Sequence, residues 1–182
     1  MKKLSLDELG RMSVEELRQA PKIPVVIVLD NVRSQHNIGS IFRTADAFRI
    51  EAIYLCGITA TPPNREMQKT ALGATESVSW KYSESTLLAV KELKRSGYYI
   101  CSIEQTDGSL VLDQFQLPDS PGVAVIFGNE VNGIDQAVVD ISDCCIEIPQ
   151  FGTKHSLNVA VSAGIVIWDV FRMFMIKKPG LL

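Results

Sequence analysis

The stretch IPQFGTKHSLNVAVSAGIVIWD, residues 148–169, decides how the rest of the chain is read. Its first half is a loop carrying Pro149, Gly152 and the Lys154-His155 pair, entered from a short apolar strand at 145–148. Its second half is a helix, for which Ser156 suits the N-cap because its hydroxyl can accept from an unpaired amide of the first turn. Over residues 159–168 that helix has almost no polar face. A helix apolar nearly all round needs cover on more than one side, which leaves the domain core, a second subunit or lipid. Lipid fits worst. A spanning helix needs about 20 predominantly apolar residues, and Asn158, Asp169 and Arg172 interrupt this run, each charge costing roughly 2.5 to 3.5 kcal/mol at a bilayer centre. The small residues Ala160, Ser162, Ala163 and Gly164 point instead to another backbone close by.

Working outward, VAVIF (123–127) and VVIVLD (25–30) are continuous apolar runs of the length of buried parallel strands. Further strands are expected at 52–56, 78–81 and 98–103. Between them lie helical patterns. Asn37 can cap a helix whose Ile38, Ile41, Phe42, Ala45 and Phe48 share one face, leaving Ser40, Arg43 and Thr44 off it. Residues 64–71 and the amphipathic stretch 83–96, closed by Gly97, supply two more helices, and a short one follows GNEVNGID (128–135). Residues 104–122 read as a polar connection containing Asp107, Gly108 and Pro118. Strands alternating with helices imply an α/β domain with a mostly parallel sheet flanked by helices. In such sheets ligands lie beyond the carboxyl ends of the strands. The unusual loops after Asp30, Phe127 and Ile148 all leave strands at that edge.

A length of 182 residues fits one domain with a sizeable core. Ser13 and Glu16 form a capping box for a helix that Pro21 and Pro24 terminate, so residues 1–24 read as a helical extension and 25–182 as the domain. MKKLSLDELGRMS has neither an apolar signal core nor a cleavage site, and a cytoplasmic location is expected. Cys56, Cys101, Cys144 and Cys145 show no metal-ligand spacing; they read as reduced core thiols, and no metal is expected. A net charge of -3 argues against gripping nucleic acid through the overall field, while leaving room for a local basic site among Arg33, His36, Arg43, Arg65, Lys69, Lys154 and His155.

Several chemistries lack their signatures. The glycines at 128 and 133 resemble a phosphate loop, but Ile134-Asp135 stands where Lys-Ser/Thr would follow, and no GxGxxG follows a strand. There is no GxSxG elbow, and Ser156 with its sequence neighbour His155 does not make a nucleophile and base pair.

The three remaining loops carry NVRSQHNIGSIFRTAD (31–46), GNEVNGI (128–134) and IPQFGTKHSLNV (148–159). In order and spacing they resemble the three motifs of the SpoU or TrmH family of RNA ribose 2'-O-methyltransferases, within the SPOUT superfamily. The resemblance runs from about residue 25 onward and departs at Gln150, where methionine is frequent, and at the bulky Phe151. It implies a C-terminal deep trefoil knot, a homodimer, and S-adenosyl-L-methionine held in the knotted loops. Gly128, Asn129, Ile148 and Leu157 match cofactor positions, with Ile103 a further candidate. It makes Arg43 the central catalytic residue, with Asn37, Glu130, Ser156 and Asn158 completing the site. Arginine, with an intrinsic pKa above about 12, is a poor literal base, so Arg43 is read as orienting the ribose hydroxyl and stabilising developing alkoxide charge.

Each assignment has a plainer rival. An exposed helical arginine is ordinarily just solvated, Asn37 and Ser156 could be simple caps, Asn158 a satisfied core polar group, and Glu130 a charge neutralising a helix start. The leading expectation is methyl transfer to a ribose 2'-hydroxyl of tRNA or rRNA, with no membrane involved. A non-catalytic RNA-binding or assembly protein that keeps the knotted dimer is the alternative, and a small-molecule methyltransferase a third. Relatives often carry an RNA-binding domain ahead of the catalytic one; residues 1–24 are too few for one, which puts recognition on the dimer surface or a partner.

Overall fold

A computed structural model of the chain describes residues 1–5 and 7–180. Strands β1 (Ile23–Asp30), β2 (Ile50–Cys56), β3 (Ser79–Ser83), β4 (Tyr99–Ile103), β5 (Leu110–Val111), β6 (Val123–Phe127) and β7 (Cys144–Glu147) form one sheet. Its order is β3-β2-β1-β6-β4-β7-β5, and every pairing is parallel. The two most continuous apolar runs, β1 and β6, lie side by side in the middle with Val25 opposite Val123 and Leu29 opposite Phe127. Burial on both faces explains why neither alternates in polarity.

Helices cover both faces. Val25, Ile27 and Leu29 of β1 point into the larger core with α2 (Gln35–Ala47), α3 (Arg65–Ala71) and α7 (Val159–Lys177). Val26 and Val28 point into the smaller core with α5 (Thr86–Arg95) and α6 (Gln136–Val139). The predicted α2 face is buried at Ile38, Ile41, Phe42 and Ala45. Gly39 is fixed by packing: a Cβ there would lie 2.2 Å from the Met67 carbonyl oxygen, so only glycine lets α3 approach α2 this closely. Helix α1 (Val14–Gln19) has the expected capping box and is tied to the short helix α4 (Ala74–Ser77) by Arg18 donating to the Glu76 carbonyl.

Four local expectations are corrected. Helix α2 is capped by Ser34, not Asn37, and α7 by Asn158, not Ser156, which stays in the preceding loop. The third strand is shifted to Ser79–Ser83 and runs along an exposed edge. Part of the 104–122 connection is ordered as β5, paired to β7, and a 3-10 turn at Leu112–Gln114, because Leu112 and Phe115 drop into the larger core.

Helix α7 is the one described helix long and apolar enough by composition to cross a membrane. Ala163, Val166, Ile167, Val170 and Phe174 are buried, and the helix packs on α2. Its other side is bare: Val161, Ile165 and Trp168 are 51%, 38% and 52% exposed. There Trp168 and Phe171 lean on Phe48, with ring centroids 5.6 and 5.0 Å from it.

Candidate active site

The parallel sheet delivers the three singled-out loops to one edge. The loop after β1 leaves through Asn31, a non-glycine residue at φ 54°. Its side-chain oxygen accepts from Ile58 N–H at 3.1 Å and its amide donates to Asp30 at 2.8 Å, local bonds that make the left-handed conformation tolerable for asparagine. Ser34 then caps α2, its hydroxyl accepting from Asn37 N–H at 3.3 Å.

The second loop, residues 128–134, is a tight closed turn. Asn129 and Gly133 exchange backbone hydrogen bonds at 2.9 and 3.0 Å, while the Asn129 side-chain oxygen accepts from Val131 and Asn132 N–H. Its side-chain amide donates to the Asn31 carbonyl at 2.7 Å, tying this loop to the first. Gly128 has no room for a side chain, since a Cβ would lie 2.2 Å from the Gly133 carbonyl carbon. The two glycines thus serve a backbone fold, not a phosphate cradle.

Glu130 projects from this turn onto the start of α2. Its carboxylate accepts from Arg33 and Ser34 N–H, both at 3.1 Å, and from the Asn37 amide at 3.3 Å. Burial works to raise its pKa, but the N–H groups of Arg33 and Ser34, the loop backbone and Asn37 outweigh it, and the carboxyl sits below its ordinary value. Free amides at a helix start and an ionised carboxylate suit each other. From the third loop, the Asn158 amide donates to the Asn37 side-chain oxygen at 3.2 Å, and the Asn158 oxygen caps α7 by accepting from Ala160 and Val161 N–H. Glu130, Asn37 and Asn158 therefore form one polar chain across the three loops.

Beside that chain is a cavity of about 750 Å³, a size that suits a nucleoside-bearing ligand. Of the residues singled out in the sequence, Ile103, Gly128, Asn129, Ile148 and Leu157 line it, and so do Glu130, Ser156 and Asn158. Asn37 touches the site through its bonds to Glu130 and Asn158 instead. Arg43 stands apart: it is exposed on α2 and is absent from the cavity wall. Glu104, Gln105, Thr106 and Glu147 also line the cavity and were missed, because polar residues just beyond a strand look like ordinary solvated loop. A strand-end position alone was the available signal. The thiols lie elsewhere; burial pushes Cys56 up to about 12, which leaves it protonated and inert.

Among the described residues no group of three or more His, Cys, Asp or Glu is placed to hold a metal ion. The apolar Ile103, Ile148 and Leu157 beside the turn at 128–134 give the cavity a wall against which a flat purine and its ribose can pack.

Comparison with known proteins gives a consistent picture. The chain is 33% identical over 155 residues to the 23S rRNA (guanosine-2'-O-)-methyltransferase of Neisseria meningitidis serogroup B, an alignment covering 85% of this chain and 61% of that protein. The chain thus spans about three-fifths of the length of that relative. An AdoMet-bound rRNA methyltransferase structure from Sinorhizobium meliloti superposes with a TM-score of 0.77 at 26% identity, over 86% of this chain and 59% of that one. The fold is also that of the TrmH/SpoU tRNA modifying enzyme of A. aeolicus, with a TM-score of 0.79 at 24% identity over 90% and 82% of the two chains. The model of the SpoU rRNA Methylase family matches residues 24–168, through all three loops, and the chain belongs to that family.

Proposed function

We propose that the protein transfers a methyl group from S-adenosyl-L-methionine to a ribose 2'-hydroxyl of tRNA or rRNA. The observation that carries this reading is the Glu130–Asn37–Asn158 chain, which joins all three motif loops beside a cavity of cofactor size. The relative from Neisseria meningitidis is named for an activity of the same kind. S-adenosylmethionine supplies an electrophilic methyl group on a sulfonium. Ile103, Ile148 and Leu157 offer it apolar walls, and the loop around Gly128 and Asn129 offers backbone groups. Ser156 and Asn158 stand at the cavity rim, where hydroxyl and amide can orient an incoming ribose.

Methyl transfer from a sulfonium needs in-line positioning more than acid catalysis. Arg43 is the cation assigned to the 2'-hydroxyl: it orients the oxygen and stabilises the charge that develops as the proton leaves to water or a substrate phosphate. Its distance from the cavity wall within one chain is consistent with a site completed by RNA or by a second copy. The bare side of α7 supports the second copy. It presents Val161, Ile165 and Trp168 to solvent, an apolar patch that a partner can cover. We read this as the homodimer face.

The C-terminal trefoil knot belongs to the same proposal. It is supported by the return of the chain from β7, near the sheet edge, to α2, with Lys177 bonded to the Pro118 carbonyl of the 104–122 crossing. An experimental trace in which residues 148–158 do not thread the preceding loops overturns it. The division into an extension at 1–24 and a catalytic domain at 25–182 is supported by the capping box of α1 and by where the family match begins. Cytoplasmic action suits four free cysteines.

Incubation with labelled S-adenosylmethionine and total RNA is expected to label the RNA, and Arg43→Ala to lower the rate by about a hundredfold or more. Equal labelling by the variant contradicts the role of Arg43; no labelling by the wild type contradicts the function. Trp168→Glu places a charge on the bare face and is expected to turn a dimer into a monomer in sedimentation velocity; an unchanged, fully active dimer counts against that face. Glu130 titrates with a depressed pKa in the fold, so its contribution is present above the ordinary value of 4.5 and is lost as pH falls through the folded value. The stability gap between wild type and Glu130→Gln in urea unfolding is therefore expected to be full near neutrality and to close on acidification, whereas a gap independent of pH contradicts the pairing.

A further inference from the structure

Two carboxylates grip the exit of the 128–134 loop from opposite sides. Asp30 ends β1 and Glu104 follows β4, the two neighbours of β6 in the sheet. Glu104 Oε2 accepts from Ile134 N–H at 3.0 Å, and Asp30 Oδ2 accepts from the next amide, Asp135 N–H, also at 3.0 Å. The two grips differ in what else they hold. Asp30 is buried and its other oxygen accepts from Thr86 at 2.5 Å and Asn31 at 2.8 Å, so it ties the sheet to α5 and away from the cavity. Glu104 lines the cavity together with Gly133 and Ile134. Its own backbone is fixed, with its N–H donating to the Ile146 carbonyl of β7 at 3.1 Å, and Oε1 accepts from Gln105 N–H at 3.1 Å.

The loop is shaped around this carboxylate. Gly133 adopts φ 69°, and a Cβ there would come 2.3 Å from Glu104 Oε2. Gly128 in turn packs against Gly133 and Ile134 so closely that a Cβ on it would meet the Ile134 nitrogen at 2.4 Å. A shift of Ile134 is thus passed directly to Gly128, one of the backbone positions facing the cavity. We propose that Glu104 is a positioning residue that holds the Gly133-Ile134 segment, and through it Gly128, in the cofactor-binding conformation. This rests on the reading of the cavity as a cofactor site. Without Glu104 the Ile134 amide has no acceptor and the loop relaxes toward water, at the expense of ligand affinity.

Calorimetry with S-adenosylhomocysteine on the full chain tests this, alongside amide hydrogen exchange of the ligand-free protein. Glu104→Ala is expected to weaken binding by about tenfold or more and to speed exchange at Ile134, whereas Glu104→Gln, whose amide oxygen still accepts from Ile134, stays within about threefold of wild type. Glu104→Asp, one methylene short, is expected to behave like Glu104→Ala and replaces it if that variant does not fold. Gly133→Ala is expected to weaken binding less in the Glu104→Ala background than in wild type, since the clash partner is gone. Unchanged affinity in both Glu104→Ala and Glu104→Asp, equal loss in Glu104→Gln, or additive effects with Gly133→Ala overturn the proposal. A wild type that binds no S-adenosylhomocysteine overturns the cofactor reading instead, and unaltered Ile134 exchange in Glu104→Ala then overturns the grip itself.

Discussion

The Glu130 carboxylate is the constraint on which the site depends. It takes two backbone N–H groups at the start of α2 and the amide of Asn37, residues more than ninety positions earlier in the chain. Asn37 passes the connection to Asn158, 121 positions later. Asn158 is itself the cap of α7, so the same residue that closes the polar chain also sets where the last helix begins. An unpaired carboxylate here would be costly, and the N–H groups of Arg33 and Ser34 leading into α2 satisfy it, while Ser34 and Asn158 cap the first-turn amides of the two helices. Order at the site and order at two helix ends are therefore one property.

Why these loops meet at all follows from the sheet. Parallel strands place every carboxyl end on one side, and β6 lies between β1 and β4, so its exit loop has a neighbour on each flank. Glycine at 128 and 133 lets that loop fold back on itself until backbone touches backbone. The result is a compact turn with side chains on its outside: Glu130 toward α2, Val131 and Asn132 toward the cavity.

Much of this was legible in the sequence, and the failures are specific. The strand at Val123–Phe127 is found where expected, because an unbroken apolar run of this length has few other uses, and the buried face of α2 follows from its spacing. The caps were misplaced. Ser34 and Asn37 are both good cap residues, as are Ser156 and Asn158, and local pattern gives no reason to prefer one; Glu130 decides the first case by drawing the Asn37 side chain away, and Asn37 contributes to the second. The apolar circumference of the last helix called for cover on more than one side, and this chain supplies it only in part, leaving Ile165 and Trp168 exposed. Glu104 was invisible, since what distinguishes it is an amide thirty residues away. Arg43 was singled out through its motif alone, and one chain leaves it outside the cavity wall.

The central claim is that the three loops build one cofactor site. A crystal structure of the protein grown with S-adenosylhomocysteine tests it most directly. The account predicts the ligand between the β4 exit, the turn at 128–134 and the loop at 148–158, with Glu130, Asn37 and Asn158 still joined beside it. Ligand bound on another surface, or a ligand-filled cavity in which that chain is broken, would contradict it.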